Sequence, residues 1–189
     1  FESIEQAFIF IAGATISDSA TVTVLVAPGT YEVQGPLAIG HSQGDRVILQ
    51  GSNDPAKTTL DFGRGGGIVV HGRRSQRIEG FLIKGEGDQN IGVQAANGAL
   101  VELRRCLISG FKIGVSAERG SDVVAEAVRV TSKQGTAGFH SLSGSRCHLK
   151  DCTASLKSNP RSNELTMGFA AWFSSTMECV DCTATGWFD

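Results

Sequence analysis

Five glycines, each followed by a bulky apolar residue, divide most of the chain into units with one internal spacing. Apolar residues return 11, 14 and 16 positions after each glycine, as at Ile78, Phe81 and Ile83 in the first unit. The five register glycines are Gly67, Gly92, Gly114, Gly138 and Gly168. They lie 25, 22, 24 and 30 residues apart, so the spacing inside a unit holds while its length varies. Such a period is typical of a repeat architecture.

The pattern inside each unit indicates strands rather than helices. Polar and apolar residues alternate around the apolar positions, as they do in strands with one buried face. Turns with glycine follow the first short strand, and a left-handed backbone is expected there. These turns are Asn97-Gly98, Arg119-Gly120 and Ser143-Gly144. Because so short a unit cannot bury its own apolar face, the units must stack as coils of a solenoid.

The first third of the chain precedes the regular units. Residues 1–13 form an amphipathic pattern with Ile4, Ala7, Phe8 and Ile11 on one stripe and a glycine at its end. We expect a helix that caps the open end of the stack, where core and strand edges would otherwise be exposed. We predict one domain over 1–189, with first coils at 20–66 and regular coils at 67–189, taken from a longer chain.

At this point the chain resembles a known superfamily. The helix, the segment Val24-Leu25-Val26-Ala27-Pro28-Gly29-Thr30-Tyr31 and the later coils are similar to right-handed β-helices of the pectate-lyase-like superfamily. The stretch from Leu37 to Gly51 is similar to the start of β-helical tail fibres and tailspikes of bacteriophages. The resemblance implies an all-β, right-handed parallel β-helix of about seven coils with an N-terminal capping helix. It also implies a homotrimer at the virion tail or another extracellular surface, with carbohydrate as ligand.

Composition limits the partners. The formal net charge of −2 argues against a broadly basic, phosphate-binding surface, so no nucleic-acid partner is expected. The longest apolar run near the N-terminus, 7–14, is much shorter than the ~20 residues of a spanning helix, so no membrane insertion is expected. We expect no cofactor and no metal.

Two aspartates are the candidate catalytic residues. Asp151 and Asp181 both lie 13 positions after a register glycine, so they should stack one coil apart, about 4.8 Å. Like charges at that distance raise one pKa, and a separation near 5 Å suits a retaining glycosidase. The alternative is two surface aspartates screened by solvent and by Lys150. The preceding column, Glu79 to Val180, alternates in charge and predicts an ion-pair ladder.

The longest unit carries an insertion that we interpret as a candidate carbohydrate-binding loop. Its polar side chains can hydrogen-bond sugar hydroxyls. Trp172 lies in the first strand of the next coil, at one of the alternating positions that face outward, where its ring can stack on a sugar. The candidate ligand-binding residues are Lys157, Asn159, Arg161, Asn163, Glu164 and Trp172. A surface insertion or a trimer contact is the alternative.

Cysteine and histidine have simpler interpretations. Cys147, Cys152, Cys179 and Cys182 have spacings that zinc sites use, but Cys152, Cys179 and Cys182 occupy the register of buried apolar residues. His71 and His140 point outward and are expected on the surface.

We therefore favour an adhesion module of a phage-like tail fibre or tailspike that binds bacterial surface polysaccharide. The alternatives are a polysaccharide-degrading hydrolase or lyase, and a structural shaft that contacts other particle proteins. No group of three or more acidic residues is evident on adjacent coils, which disfavours a calcium-dependent lyase. Because fold does not dictate function, the choice rests on the resemblance.

Overall fold

The structure is a computed structural model. It describes residues 1–132, 136–156 and 166–186, with the backbone alone for 87–89. The only helix of eight or more residues in these ranges is α1 (Ile4–Ile11). Short 3-10 turns cover Gly44–Arg46 and Pro55–Lys57.

Eighteen strands make up most of the remaining described chain. They are β1 (Val22–Leu25), β2 (Gly29–Glu32), β3 (Leu37–Ala38), β4 (Val47–Gln50), β5 (Thr58–Asp61), β6 (Ile68–His71), β7 (Ser75–Glu79), β8 (Leu82–Ala96), β9 (Leu100–Arg104), β10 (Leu107–Glu118), β11 (Asp122–Glu126), β12 (Arg129–Ser132), β13 (Ala137–Leu142), β14 (Arg146–Lys150), β15 (Thr153–Leu156), β16 (Met167–Trp172), β17 (Thr176–Val180) and β18 (Thr183–Thr185).

The strands stack in parallel on three faces. The first face is a seven-stranded sheet in the order β1-β4-β7-β9-β11-β14-β17. The second face contains β2, β5, the start of β8, the start of β10, β12, β15 and β18. The third contains β3, β6, the ends of β8 and β10, β13 and β16. Since β8 and β10 run through both, the second and third faces form one eleven-stranded sheet.

This architecture confirms an all-β parallel solenoid with one short N-terminal helix. The stack makes about five turns, slightly fewer than the predicted seven coils. Seven strands do stack on the first face, but the opening turn is irregular because its third-face strand, β3, has only two residues.

The predicted register is confirmed by the strand pairing. On the third face the residues after the register glycines pair in one ladder: Ile68, Val93, Val115, Phe139 and Phe169. On the first face a second ladder runs through Ile78, Leu103, Ala125, Leu149 and Cys179. Both ladders are buried in the middle coils and together fill the core between the faces.

The register glycines are needed because successive backbones approach closely. A Cβ atom on Gly92 would lie 2.7 Å from the carbonyl oxygen of Gly114, and one on Gly114 would lie 2.7 Å from that of Gly138. On Gly138 it would lie 2.6 Å from the carbonyl of Gly168. Any larger residue would therefore push the neighbouring coil away, which explains why glycine returns at this position.

Cysteine occupies one interior column for a reason beyond its size. The Cys152 thiol lies 3.5 Å from the carbonyl oxygen of Ala125 in the previous coil and 3.3 Å from that of Lys150 in its own. Cys106 and Cys182 repeat this geometry in their coils. The S–H group is a weak donor that can bond to one of these two carbonyls at a time, whereas Phe81 and Val128 fill the same column without a donor. Cys106 and Cys152 are fully buried and Cys182 is half-buried.

The predicted capping helix forms, and the side that was predicted to face the core is buried. Ser3 is the N-cap of α1, and its Oγ accepts a hydrogen bond from the Gln6 N–H at 3.2 Å. The four residues of the stripe are buried, and its three larger members join the core cluster. The helix ends two residues before the predicted limit of 13. Its other side exposes Ile9 and Phe10.

Candidate functional site

Asp151 and Asp181 lie at equivalent places in successive coils, as predicted. The pairs before and after them, Lys150 with Val180 and Thr153 with Thr183, are in register, and both carboxylates are exposed. Each aspartate has a left-handed backbone, with φ of 53°. The Asp151 N–H donates to the Val180 carbonyl at 3.0 Å.

The corner between the first and second faces requires this backbone in every coil. Gly80, Arg105 and Ala127 occupy the same corner, with φ of 75°, 48° and 54°. Aspartate tolerates the left-handed region better than most residues do. The turn is therefore a sufficient reason for aspartate at Asp151 and Asp181, with or without a chemical role.

Charged side chains also form contacts along the first face, which leads to this corner. Lys150 Nζ lies 3.6 Å from Glu126 Oε1, a link of the predicted ladder. His148 Nδ1 lies 3.0 Å from Glu178 Oε2, one coil further on. Glu79 departs from the ladder, because its carboxylate contacts Arg77 at 3.5 Å and Arg105 at 3.4 Å instead of Arg104. The Lys150–Glu126 and His148–Glu178 pairs are exposed and each contribute at most about 1 kcal/mol, whereas the Glu79 carboxylate is buried.

A second feature is the edge between the third face and the first, which we call the turn ridge. It consists of Gly72-Arg73, Asn97-Gly98, Arg119-Gly120, Ser143-Gly144 and Phe173-Ser174, stacked coil on coil. All except Arg73 have positive φ. A Cβ atom on Gly120 or Gly144 would meet nothing within 4 Å. The ridge is therefore open at these two turns.

Buried serines hold the ridge from below. The Ser121 Oγ lies 3.1 Å and 3.2 Å from the backbone nitrogens of Gly98 and Ala99 and accepts from them. Ser121 in turn donates its hydroxyl proton to the Glu118 carbonyl at 2.7 Å. Serine recurs seven positions after three of the register glycines, at 121, 145 and 175. That spacing was visible in the sequence, although its role depends on the turn geometry.

Two aromatic side chains are exposed at one end of the ridge. Trp172 is 42% exposed and Phe173 is 75% exposed. The Trp172 ring meets the His140 ring edge to face, with centroids 5.4 Å apart and planes at 83°. This contact fixes the orientation of the indole while much of its surface remains open. Trp172 therefore lies outward, as the sequence predicts.

His140 is buried, so the prediction of a surface histidine was wrong for this residue. Its position on β13 does point outward, but Trp172 of the next coil covers it and it is 9% exposed. Burial lowers the pKa of His140 from its usual 6.5, against a smaller opposing effect of Glu118. Its Nδ1 atom is buried without a hydrogen-bond partner. His71 is exposed as predicted.

The neutral tautomer of His140 follows from this environment. Burying an orphaned lone pair costs less than burying an orphaned N–H, so the proton belongs on Nε2. Beside it, Ser116 Oγ donates to Glu118 Oε1 at 2.9 Å. The patch beside Trp172 thus contains one imidazole N–H and one carboxylate. The predicted loop residues Lys157, Asn159, Arg161, Asn163 and Glu164 lie outside the described residues.

An acidic depression of about 490 Å³ lies among the first coils. Glu32, Asp61 and Glu86 line it, and Lys84 Nζ lies 2.7 Å from Asp61 Oδ2. The hydrogen bond from Lys84, aided by the Gly63 N–H, holds the pKa of Asp61 below its usual value. The expectation of no acidic triplet on adjacent coils missed this group, because Glu32 and Asp61 precede the five register glycines.

Three further findings bear on function. Within the described ranges, no three His, Cys, Asp or Glu side chains are arranged to hold a metal ion. No helix in those ranges has the length and apolar character needed to cross a membrane. Comparisons with protein-family models, with curated proteins and with solved structures each gave no match.

Proposed function

We propose that this chain is a polysaccharide-binding module, in which a linear glycan lies across the stacked coils at the turn ridge. The observation that carries the proposal is the exposed, oriented ring of Trp172 beside Phe173. Aromatic faces that are held rigidly and left open to water suit stacking on the apolar face of a sugar. The exposed turns stacked along the ridge give an extended ligand room to continue over several coils.

The polar groups next to the ring support the same proposal. The Nε2–H of His140 can donate to a sugar oxygen, and the Glu118 carboxylate can accept from a hydroxyl. A stacking ring with a few convergent polar groups is the usual composition of a small-ligand site. Because the groups belong to adjacent parallel strands, their spacing is fixed before a ligand arrives.

Substitution of the aromatic ring tests the proposal. Trp172→Ala should weaken binding to a positive polysaccharide from an array of bacterial surface glycans by roughly tenfold or more, as loss of a stacking anchor does. Phe10→Ala is the matched control, because Phe10 is a 73% exposed aromatic residue on the capping helix. Equal affinity in Trp172→Ala and the wild type would reject the site. Absence of any glycan ligand would reject the function.

We place this module in a phage-like tail fibre or tailspike on the virion tail or another extracellular surface, as the resemblance of the 37–51 segment suggests. A parallel homotrimer belongs to the same proposal. Light scattering on the intact protein tests it, and a monodisperse monomer would contradict the trimer. A purely structural shaft would bind no glycan in the array.

A polysaccharide-degrading hydrolase or lyase is the second candidate, favoured by the in-register, exposed carboxylates of Asp151 and Asp181. In that case one acid would protonate the leaving oxygen while the other acts as base or nucleophile. New reducing ends or unsaturated sugars would appear on incubation with a bound polysaccharide. Asp151→Asn and Asp181→Asn should each abolish this activity and leave binding intact. Activity that survives both substitutions would place the chemistry elsewhere.

A further inference from the structure

The turn ridge carries three arginines, two at the end opposite its aromatic residues and one at its middle turn. Arg73, Arg74 and Arg119 all lie at or beside the ridge turns and are exposed. Throughout the described residues, no carboxylate lies within 4.0 Å of their guanidinium groups, whereas arginines of the first face such as Arg77, Arg104 and Arg146 have such partners.

The positions of the side chains make these charges one continuous surface. A Cβ atom on Gly98 would lie 4.0 Å from Arg73 Cγ, so Arg73 extends over the turn of the next coil. Arg119 occupies the following turn, two coils from Arg73 and about 10 Å further along the stack. Arg74 lies toward the preceding coil, because its Cβ is 3.3 Å from the place that a Cβ atom on Gly40 would occupy. The ridge therefore has positive charge over several coils.

The carboxylate of Glu118, next to this surface in sequence, forms no ion pair with Arg119 in the described part of the chain. Glu118 precedes Arg119 in sequence, but its Oε1 atom accepts the hydroxyl proton of Ser116 on the third face. His71 is exposed at the end of β6, beside the first turn of the ridge. In a chain whose formal net charge is −2, a local excess of unpaired guanidinium groups has a direct use in attracting anions.

We infer that the turn ridge binds an anionic glycan, with its acidic groups paired to Arg73 and Arg119 and a sugar ring stacked on Trp172. This inference rests on the proposed polysaccharide-binding function and specifies its ligand class. The ridge joins Arg73 to Phe173 across four coil spacings, about 19 Å, which requires an extended chain rather than a single sugar. Guanidinium forks match carboxylate, sulfate and phosphate groups of such a chain.

The test compares matched ligands on the intact protein. Binding of a carboxylated polysaccharide, a sulfated dextran and neutral dextran is measured at low and at moderate salt. The anionic polymers should bind more tightly than neutral dextran, and their affinity should fall with added salt because the contacts are exposed. Tighter binding of neutral dextran would overturn the anionic class and leave the proposed function standing. No binding of any glycan would reject both.

Charge-removing variants locate the site. Arg73→Gln combined with Arg119→Gln should weaken binding of the anionic polymers by roughly tenfold and leave neutral dextran unchanged, as expected for two exposed ion pairs. Arg129→Gln is the matched control, because Arg129 is an exposed arginine without a carboxylate partner among the described residues, on the second face. Circular dichroism confirms that the variants fold. Equal losses in the control, or equally tight binding of inorganic polyphosphate, would overturn the inference.

Discussion

The Ser145 hydroxyl oxygen lies 3.2 Å from the backbone nitrogen of Ser121 and accepts its hydrogen bond. The same hydroxyl donates its proton to the Leu142 carbonyl at 2.7 Å. Ser145 is 1% exposed, so it satisfies a donor and an acceptor that water cannot reach. One side chain thereby joins two coils beneath the turn ridge.

Ser145→Ala should therefore lower the free energy of unfolding by about 1–3 kcal/mol, since it leaves the buried Ser121 N–H without a partner. It also removes one of the two hydrogen bonds to the Leu142 carbonyl, which keeps that from the Arg119 N–H. Urea denaturation followed by circular dichroism measures this change. The control is Ser42→Ala, at an exposed serine, which should change stability by less than about 0.5 kcal/mol. Equal effects of the two substitutions would show that the hydroxyl contributes little.

Ser174→Gly should raise stability by up to about 1 kcal/mol, because Ser174 has a left-handed backbone where three earlier coils have glycine. The larger conformational freedom of glycine in the unfolded chain offsets part of the gain. The reciprocal change, Gly144→Ser, should cost about 1 kcal/mol. Nothing lies within 4 Å of a Cβ atom on Gly144, so this cost is purely conformational. Thermal unfolding of both variants tests the opposite signs, and two shifts in one direction would contradict it.

The stability of the protein should depend on pH through His140. Because burial lowers the pKa of His140 below its usual 6.5, the unfolded chain takes up a proton at higher pH than the folded chain does. Stability is therefore greatest above about pH 6.5 and falls as the pH drops from there toward the folded-state pKa. His140→Gln should flatten the dependence of Tm on pH between 7.5 and 5. An unchanged slope in this variant would assign the dependence to other groups.

The thiols should differ in their reactivity toward iodoacetamide. Burial raises the pKa of Cys106 to about 11 and that of Cys152 to about 12, so very little reactive thiolate is present at pH 8. Cys147 is equally buried, with its pKa raised to about 12. Mass spectrometry of the native protein should therefore find label first at the half-buried Cys182. Cys179 is more open but should react more slowly than its exposure suggests, because burial raises its pKa to about 11. Early labelling of Cys106 would show that the coil opens locally.

The ladders of the regular coils could be predicted from spacing alone, whereas contacts between side chains of different coils could not. The positions of Cys106 and Val128 in one buried column follow from a constant interval after each register glycine. The burial of His140 depends on the ring of Trp172, thirty-two residues later. The repeat pattern does not predict that contact, because the residue type at outward-facing positions changes from coil to coil.

The first coils show a different limit of sequence reasoning. Glu32 and Asp61 pair in register on the second face, yet both precede the first of the five register glycines. Without a register glycine to align their coils, the sequence did not predict that these two carboxylates lie side by side. The aspartates of the later coils could be aligned, but their left-handed φ gives them a backbone role that charge arguments alone do not reveal.

The variation in unit length has an evolutionary consequence. The residues up to 16 positions past each register glycine keep one spacing, so all of the variation between 22 and 30 residues falls in the segment that leads to the next glycine. That segment connects the second face to the third. One corner of the solenoid can therefore gain or lose residues while every ladder elsewhere stays aligned, and a new surface can evolve there without any change to the core that supports it.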